Sequence, residues 1–469
     1  MAIRRHLLRV VVRGGAWAWG LAAAFTLALA PQVSRADGAF PNGQSILVPA
    51  DRPDEIVLAT NFGLVTSEDA GRTWLYSCEL AVTSYGRLYQ VGPAPADRLF
   101  AIAGGKLVFS DDGACGWQTA GGALGDDLCE DAFVDPTDGT HVLAAGLANG
   151  EGIAYSVYQS TDSGATFSRA LYVAAPGDFI TGLEIAKSDP MTIDLTLADS
   201  AGTAPTLARS TDGGTTWQLT DLTAALGSGQ VRILAIDPTD ADRVFLRVIE
   251  AAGDTLAIAT DGGATVTTPL VLDGGLGAFV RTGAGTLLAF GTAAGAPALF
   301  RSTDSGATFV PVAGPPNILA LAERAGTVYA ATDSSLGPFA EATSTDEGTT
   351  WTPGLAFAQV SAIAPCLESA CQADCEMRAQ QQQWPAAICT AQAPVIDSPD
   401  AATVVDAGGT HDAVAVGPPF DGGTMRIDAG DTPHPAGGCS CATAPRSDSD
   451  AWPALLLLAA LLRRRRLSA

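Results

Sequence analysis

"RSTDGGTTW", residues 209–217, sets one carboxylate, Asp212, among small polar residues and closes on Trp217. The stretch recurs. "TSEDAGRTW" stands at 66–74, "QSTDSGATF" at 159–167, "RSTDSGATF" at 301–309 and "TSTDEGTTW" at 343–351. Two looser copies, "FSDDGACGW" (109–117) and "IATDGGATV" (258–266), bring the number to seven. Their acids are Asp69, Asp112, Asp162, Asp212, Asp261, Asp304 and Asp346, at intervals of 43, 50, 50, 49, 43 and 42 residues. Such a period suits a four-stranded blade. A catalytic carboxylate is needed once or twice per site, not at seven places in a ring, so these acids are expected to shape turns. The stretch also lacks the alternating carboxylates and terminal Glu of a calcium-binding loop.

The flanks share a grammar. In "VRILAIDPTDADRVFLRVIEAAGDTLAIATDGG" (231–263), "RILAID" reads as an inner strand and "PTDAD" as a turn. "RVFLRVI" is then the second strand and "TLAIAT" the third, with the fourth after "DGG". "FVDPTDGTHVLAAG" (133–146) and "VPADRPDEIVLATN" (48–61) repeat it. Pro and Asp turn the chain, while β-branched and aromatic residues fill the strands. With 52 glycines and only 16% charged residues, the chain favours short strands between tight turns. The expected fold is all-β, a seven-bladed β-propeller, since packing blades round an axis covers both faces of every sheet.

The pattern S-x-D-x-G-x-T-W resembles the Asp-box (BNR) repeat over roughly residues 40–360. The resemblance implies a hairpin turn between the third and fourth strands of each blade. It implies that the Asp bonds turn amides and that the Gly takes a conformation other residues avoid. The aromatics Trp74, Trp117, Phe167, Trp217, Phe309 and Trp351 would then pack between neighbouring strands. Proteins of this kind include sialidases and some glycoside hydrolases, but also sorting receptors and assembly factors without activity, so the resemblance leaves function open. Sialidases carry an early Arg-Ile-Pro motif, which is absent here, and six blades rather than seven. Arg98, Arg243, Arg247 and Arg281 follow no triad signature; Arg98 and Arg243 each follow "AD" and are expected in ion pairs of blade turns. Asp131, Glu184 and Glu323 lie in or near inner strands, where a hydrolase would need two carboxylates at a set separation. Nothing in the sequence pairs two of them, and solvated strand ends are the expectation. No catalytic residue is assigned. His141 is the one histidine of the central body, which argues against a His-based triad or multi-His metal site there, and no metal or cofactor is expected.

The two ends carry addresses. Arg4, Arg5, Arg9 and Arg13, the apolar run "AWAWGLAAAFTLALA" (16–30) and "SRA" (34–36) read as a signal peptide, with the mature chain beginning near Asp37. Export permits disulfides. "PCLESACQADCEMRAQQQQWPAAIC" (365–389) favours helix, and Cys366, Cys371, Cys375 and Cys389 are expected to form two disulfides within a small helical hairpin, the pairing left open. For Cys78, Cys115 and Cys129 the expectation is one bridge and one thiol, or pairing elsewhere. Residues 393–436 read as a disordered acidic linker. "GGCSC" (437–441), the 12-residue run "AWPALLLLAALL" (451–462) and "RRRR" (463–466) then form a tripartite tail with a short transmembrane helix. This tail resembles the MYXO-CTERM sorting domain. The resemblance implies recognition by a sortase-like membrane protease, processing at Cys439 or Cys441, and delivery to the cell surface; the alternative is a plain anchor.

The expected order is therefore signal peptide 1–36, propeller 37–362, Cys-rich helical module 363–392, linker 393–436 and sorting tail 437–469. A formal charge of −24 argues against a nucleic-acid partner. The expected role is binding or scaffolding at the envelope by a monomer, with an unspecified protein or glycan ligand. A secreted glycoside hydrolase or sialidase-like enzyme is the alternative.

Overall fold

A computed structural model describes residues 43–394, except 83–85, 95–97, 126, 148–153, 169, 200 and 203. Within them the chain winds into seven antiparallel four-stranded sheets, each with its strands in chain order. The blades run Gly43–Cys78, Gly86–Thr119, Leu128–Val173, Phe179–Asp221, Gln230–Val271, Leu276–Val312 and Ile318–Pro353. First strands of successive blades neighbour one another, and the ring closes with Gly43–Leu47 against Ile318–Arg324. They therefore line the axis. Each first strand carries a register shift. A bulge bends the strand and increases its twist, as the crowded axis requires. In the fifth blade the second strand begins at Asp240, so the turn after Asp237 is shorter than the sequence suggests.

The core divides into seven apolar clusters, one at each blade interface. Between blades three and four, for example, Leu143, Ala145 and Val157 meet Ile180, Leu183 and Leu195. Blade strands such as Ile193–Ala198 are buried at every position, because each sheet is covered on both faces. Hydrophobic burial is thus spread round the ring, and no blade has a core of its own.

After Pro353 the chain crosses to the first blade. Ala362–Ile363 pairs in parallel with Leu75–Tyr76 as a fifth, outermost strand. A short 3-10 turn and the helix Glu368–Gln380 follow. Leu367, Trp384 and Ile388 pack with Phe62, Trp74 and Tyr76 in a single cluster. Trp384 meets Tyr76 edge-on at 4.7 Å, and the Arg378 guanidinium lies 4.5 Å from the Phe62 ring centre. Arg378 also donates to Asp374 at 2.9 Å, and Asp374 accepts the Tyr76 hydroxyl.

Against expectation, the module does not hold two disulfides of its own, whereas Cys78 and Cys115 pair elsewhere, as one of the alternatives had it. Only Cys375–Cys389 lies inside the module. Cys371 bonds Cys78 at the end of the first blade, and Cys366 bonds Cys115 in a turn of the second. The module is no independent hairpin because its cysteines face the propeller it rests on. Cys129 is a buried thiol whose Sγ donates to the Asp131 carbonyl at 3.5 Å. No helix among the described residues is long and apolar enough to cross a membrane. The signal peptide, the linker from 395 onward, Cys439, Cys441 and the run 451–462 lie outside the described residues.

Candidate functional site

The seven Asp-bearing turns are built locally. Ser210 donates to Asp212 Oδ1 at 2.8 Å, and its Oγ accepts the Gly214 amide at 2.8 Å. Asp212 then accepts the Thr216 amide and hydroxyl at 2.8 and 2.7 Å. The same pattern recurs at Asp69, Asp162, Asp304 and Asp346. These bonds, led by the threonine hydroxyl, hold the carboxyls of Asp212, Asp304 and Asp346 down to about 2. Two successive residues sit in the left-handed region, such as Ser163 (φ 59°) and Gly164 (φ 77°). A Cβ at Gly164 would lie 2.5 Å from the Phe100 ring of the preceding blade, so both backbone conformation and close approach require glycine.

The two looser copies depart for identifiable reasons. At Asp112 the acceptor bonds persist to Ser110 and the Gly116 amide, but no threonine hydroxyl follows. At Asp261, Ala259 stands where the other copies have serine, and Asp261 itself takes φ 53°. Only the Thr265 hydroxyl bond, 3.1 Å, is kept. The aromatic residues pack toward the preceding blade: Trp217 meets Tyr172 at 5.2 Å, and Trp117, Phe309 and Trp351 join the clusters at the first–second, fifth–sixth and sixth–seventh interfaces. Trp74 and Phe167 are buried in theirs.

Arginines latch this face together. Arg98 pairs with Asp111 and donates to the Ser163 carbonyl of the next blade's turn at 2.6 Å. Arg243 donates to the equivalent Ser305 carbonyl one blade on. Arg281 pairs with Asp237 of the preceding blade at 2.9 Å; Arg247 instead pairs with Asp254 of its own blade toward the opposite end, where Asp254 also accepts the Leu276 amide. Arg209, which the sequence did not single out, grips buried Asp194 with two bonds of 2.8 Å and reaches Asp242 of the fifth blade. Arg324, also missed, donates to the carbonyls of Pro49, Arg52 and Glu55 across the ring closure. A basic residue ending a first strand is the only sequence signal for it.

The first strands have no sheet partner on their axial side, so amides there need other acceptors. Gln90 Oε1 accepts the Val134 amide at 3.2 Å, and Glu184 Oε2 accepts the Ile236 amide at 2.7 Å. Both reach from one blade's first strand to the next. Glu184 keeps some exposed surface but is enclosed by protein at longer range. That burial pushes its carboxyl up to about 8, against the Ile236 bond, with Asp194 and Asp131 adding to the rise. Asp131 accepts the Ala132 amide, and Glu323 those of Gly283 and Gly326. The three are thus acceptors for backbone amides rather than merely solvated strand ends. His141 lies between Asp135 Oδ2 and Gln159, at 3.1 and 2.9 Å.

The opposite face, where each chain enters its first strand, differs in character. Leu88, Leu128 and Phe179, at the starts of the first strands of blades two to four, are 50%, 38% and 38% exposed. Phe179 stacks at a tilt against Tyr155, 5.3 Å away. Leu80 and Val173, on adjoining segments, are also exposed. Large apolar side chains grouped on one sector mark a contact surface more often than scattered ones do.

No protein-family model matches the chain, and no curated protein matches it either. Similar solved structures include a GH74 xyloglucanase from Xanthomonas campestris, at 15% identity and TM-score 0.33, covering 69% of this chain and 59% of that one. A puromycin-hydrolyzing peptidase of Mycobacterium tuberculosis is 12% identical, at TM-score 0.48 over 70% of this chain and 58% of the peptidase. The Hadza microbial sialidase Hz136 is 14% identical, at TM-score 0.37 over 59% of this chain and 70% of the sialidase. The chain thus spans under two thirds of the xyloglucanase and of the peptidase. The sheet topology itself makes this chain a seven-bladed β-propeller, with GH74 and sialidase propellers among its structural neighbours.

Proposed function

We propose that this is an exported, surface-displayed propeller that binds a protein or glycan at the envelope through the face bearing Leu88, Leu128 and Phe179. The observation that carries the reading is the contrast between the two ends of the first strands. At one end large apolar side chains stand in solvent beside the axis. Along the strands, the carboxylates a hydrolase would draw on are committed to backbone amides. Disulfides supply a second support, because they persist in oxidising compartments outside the cytoplasm. The seven turns are read as Asp-boxes with a structural role, and the tail as a sorting signal acted on by a sortase-like protease.

Glu184 favours a second reading, a glycoside hydrolase. A buried carboxyl pushed up to about 8 is neutral near pH 7 and can serve as a general acid. The two readings separate in one comparison. Purified protein is bound to isolated envelopes, and the Leu128→Ser/Phe179→Ser double variant should lose binding at unchanged melting temperature. Sugar release from envelope polysaccharide that survives this double variant but vanishes in Glu184→Gln would replace binding with hydrolysis.

A further inference from the structure

Among the described residues, no strand is shared between the first and last blades. Each of the seven four-stranded sheets is built from strands in chain order, so among the described residues the seam between the seventh and first blades is held by side-chain contacts and by Arg324. A chain leaving the last blade directly would place any tension on that blade's short outer strand, Thr352–Pro353. This chain leaves otherwise. It crosses the seam with Leu355, Phe357, Val360 and Ile363 buried, adds its strand to the first blade, and is then bonded to the second blade through Cys366–Cys115 and to the first through Cys371–Cys78.

We propose that residues 354–389 are a mechanical strap that delivers tension from the C-terminal side to blade one at Cys78, keeps the bridge to blade two as a reserve, and shields the ring's seam. The inference goes beyond the binding role and holds whatever the chain's far end is attached to. A disulfide does not yield to forces that peel hydrogen-bonded strands. Tension arriving from the C-terminal side passes through Cys389–Cys375 to Cys371 and on to Cys78, so the chain between Cys78 and Cys371, a sequence separation of 293, stays out of the force path. Cys366–Cys115 is a second lock inside the first, spanning 251 residues. The Cys375–Cys389 loop of 14 residues keeps the helix and the final turn together under the same pull. Non-covalent packing alone would give a strap that peels from blade one before the blades unfold.

Single-molecule pulling on the full chain, held at its two ends, tests this with distinct lengths. The oxidised protein should release only segments outside Cys78 and Cys371. Replacing that pair by serine should free the difference between the 293- and 251-residue spans, 42 residues, or about 150 Å at ~3.5 Å per residue. Loss of both pairs, or dithiothreitol on the unsubstituted chain, should free about 1,000 Å. The dithiothreitol arm needs no variant to fold. Release of about 1,000 Å by the oxidised protein, or by the Cys78→Ser/Cys371→Ser variant alone, would overturn the proposal. So would equal unfolding forces for oxidised and reduced chains.

Discussion

Arg324 offers a sharp test of how the ring is held at its seam. Its side chain is 7% exposed, and Nη1 faces three carbonyls of the first blade, at 3.3 Å from Pro49, 3.0 Å from Arg52 and 2.6 Å from Glu55. Nη2 lies 3.3 Å from the Tyr329 hydroxyl. A hydrogen bond from a charged donor contributes roughly 1.5–3 kcal/mol, and removing one partner leaves buried acceptors without a donor. Counting the 3.0 and 2.6 Å bonds as full ones gives about 3–6 kcal/mol for Arg324→Leu, which keeps much of the apolar stem and deletes the donors. Arg324→Lys should fall between, because an ammonium cannot span three carbonyls with planar geometry. Urea unfolding of the oxidised protein is the assay, with the slope compared to confirm that the surface exposed is unchanged. A loss under about 1 kcal/mol at unchanged slope would refute the reasoning and leave the seam to apolar packing.

Three further outcomes follow. The carboxyls of Asp212, Asp304 and Asp346 are depressed to about 2 from an ordinary 3.8, so the stability they add is present above about pH 4 and lost as pH falls toward 2. Asp212→Ala should flatten that acid limb in melting curves and lower the melting temperature at pH 7 without loss of ligand. Glu184 shifts the other way, from 4.5 to about 8, so the fold takes up a proton and loses stability as pH rises between those values. Glu184→Gln should remove that slope and melt higher than the unsubstituted chain at pH 8; equal melting at pH 5 and pH 8 in both proteins would show that the carboxyl is not enclosed. For the tail, surface protein should lack "RRRR" and end near "GGCSC", and Cys439→Ala should leave the uncut form in the inner membrane; intact mass of surface protein decides it, and recovery of chains ending at Ala469 would make the tail an anchor.

The turns were legible because their chemistry is local. Serine, aspartate, glycine and threonine bond one another within four residues, so spacing alone dictates which amide meets which oxygen. Seven such turns at blade-length intervals determine the number of sheets, and burial on both faces makes those sheets close on themselves. The same logic separates the strong copies from the weak, since Ala259 for serine can be read in the chain and its cost seen in the turn. The partners of Cys78 and Cys115 lie 293 and 251 residues away, and no local pattern ranks one distant cysteine over another. Glu184 reads as a solvated strand end until its acceptor role toward an amide 52 residues on becomes visible. Arg98 and Arg243 sit in the expected ion pairs of blade turns, with Asp111 and Asp237, yet their reach into the following blade depends on how far that blade is rotated about the axis. Sequence alone determined the repeated unit, because short-range hydrogen bonds and strand periodicity suffice for it. Only the tertiary structure decided which surfaces, amides and thiols meet between units, because those distances are set by ring closure rather than by separation along the chain.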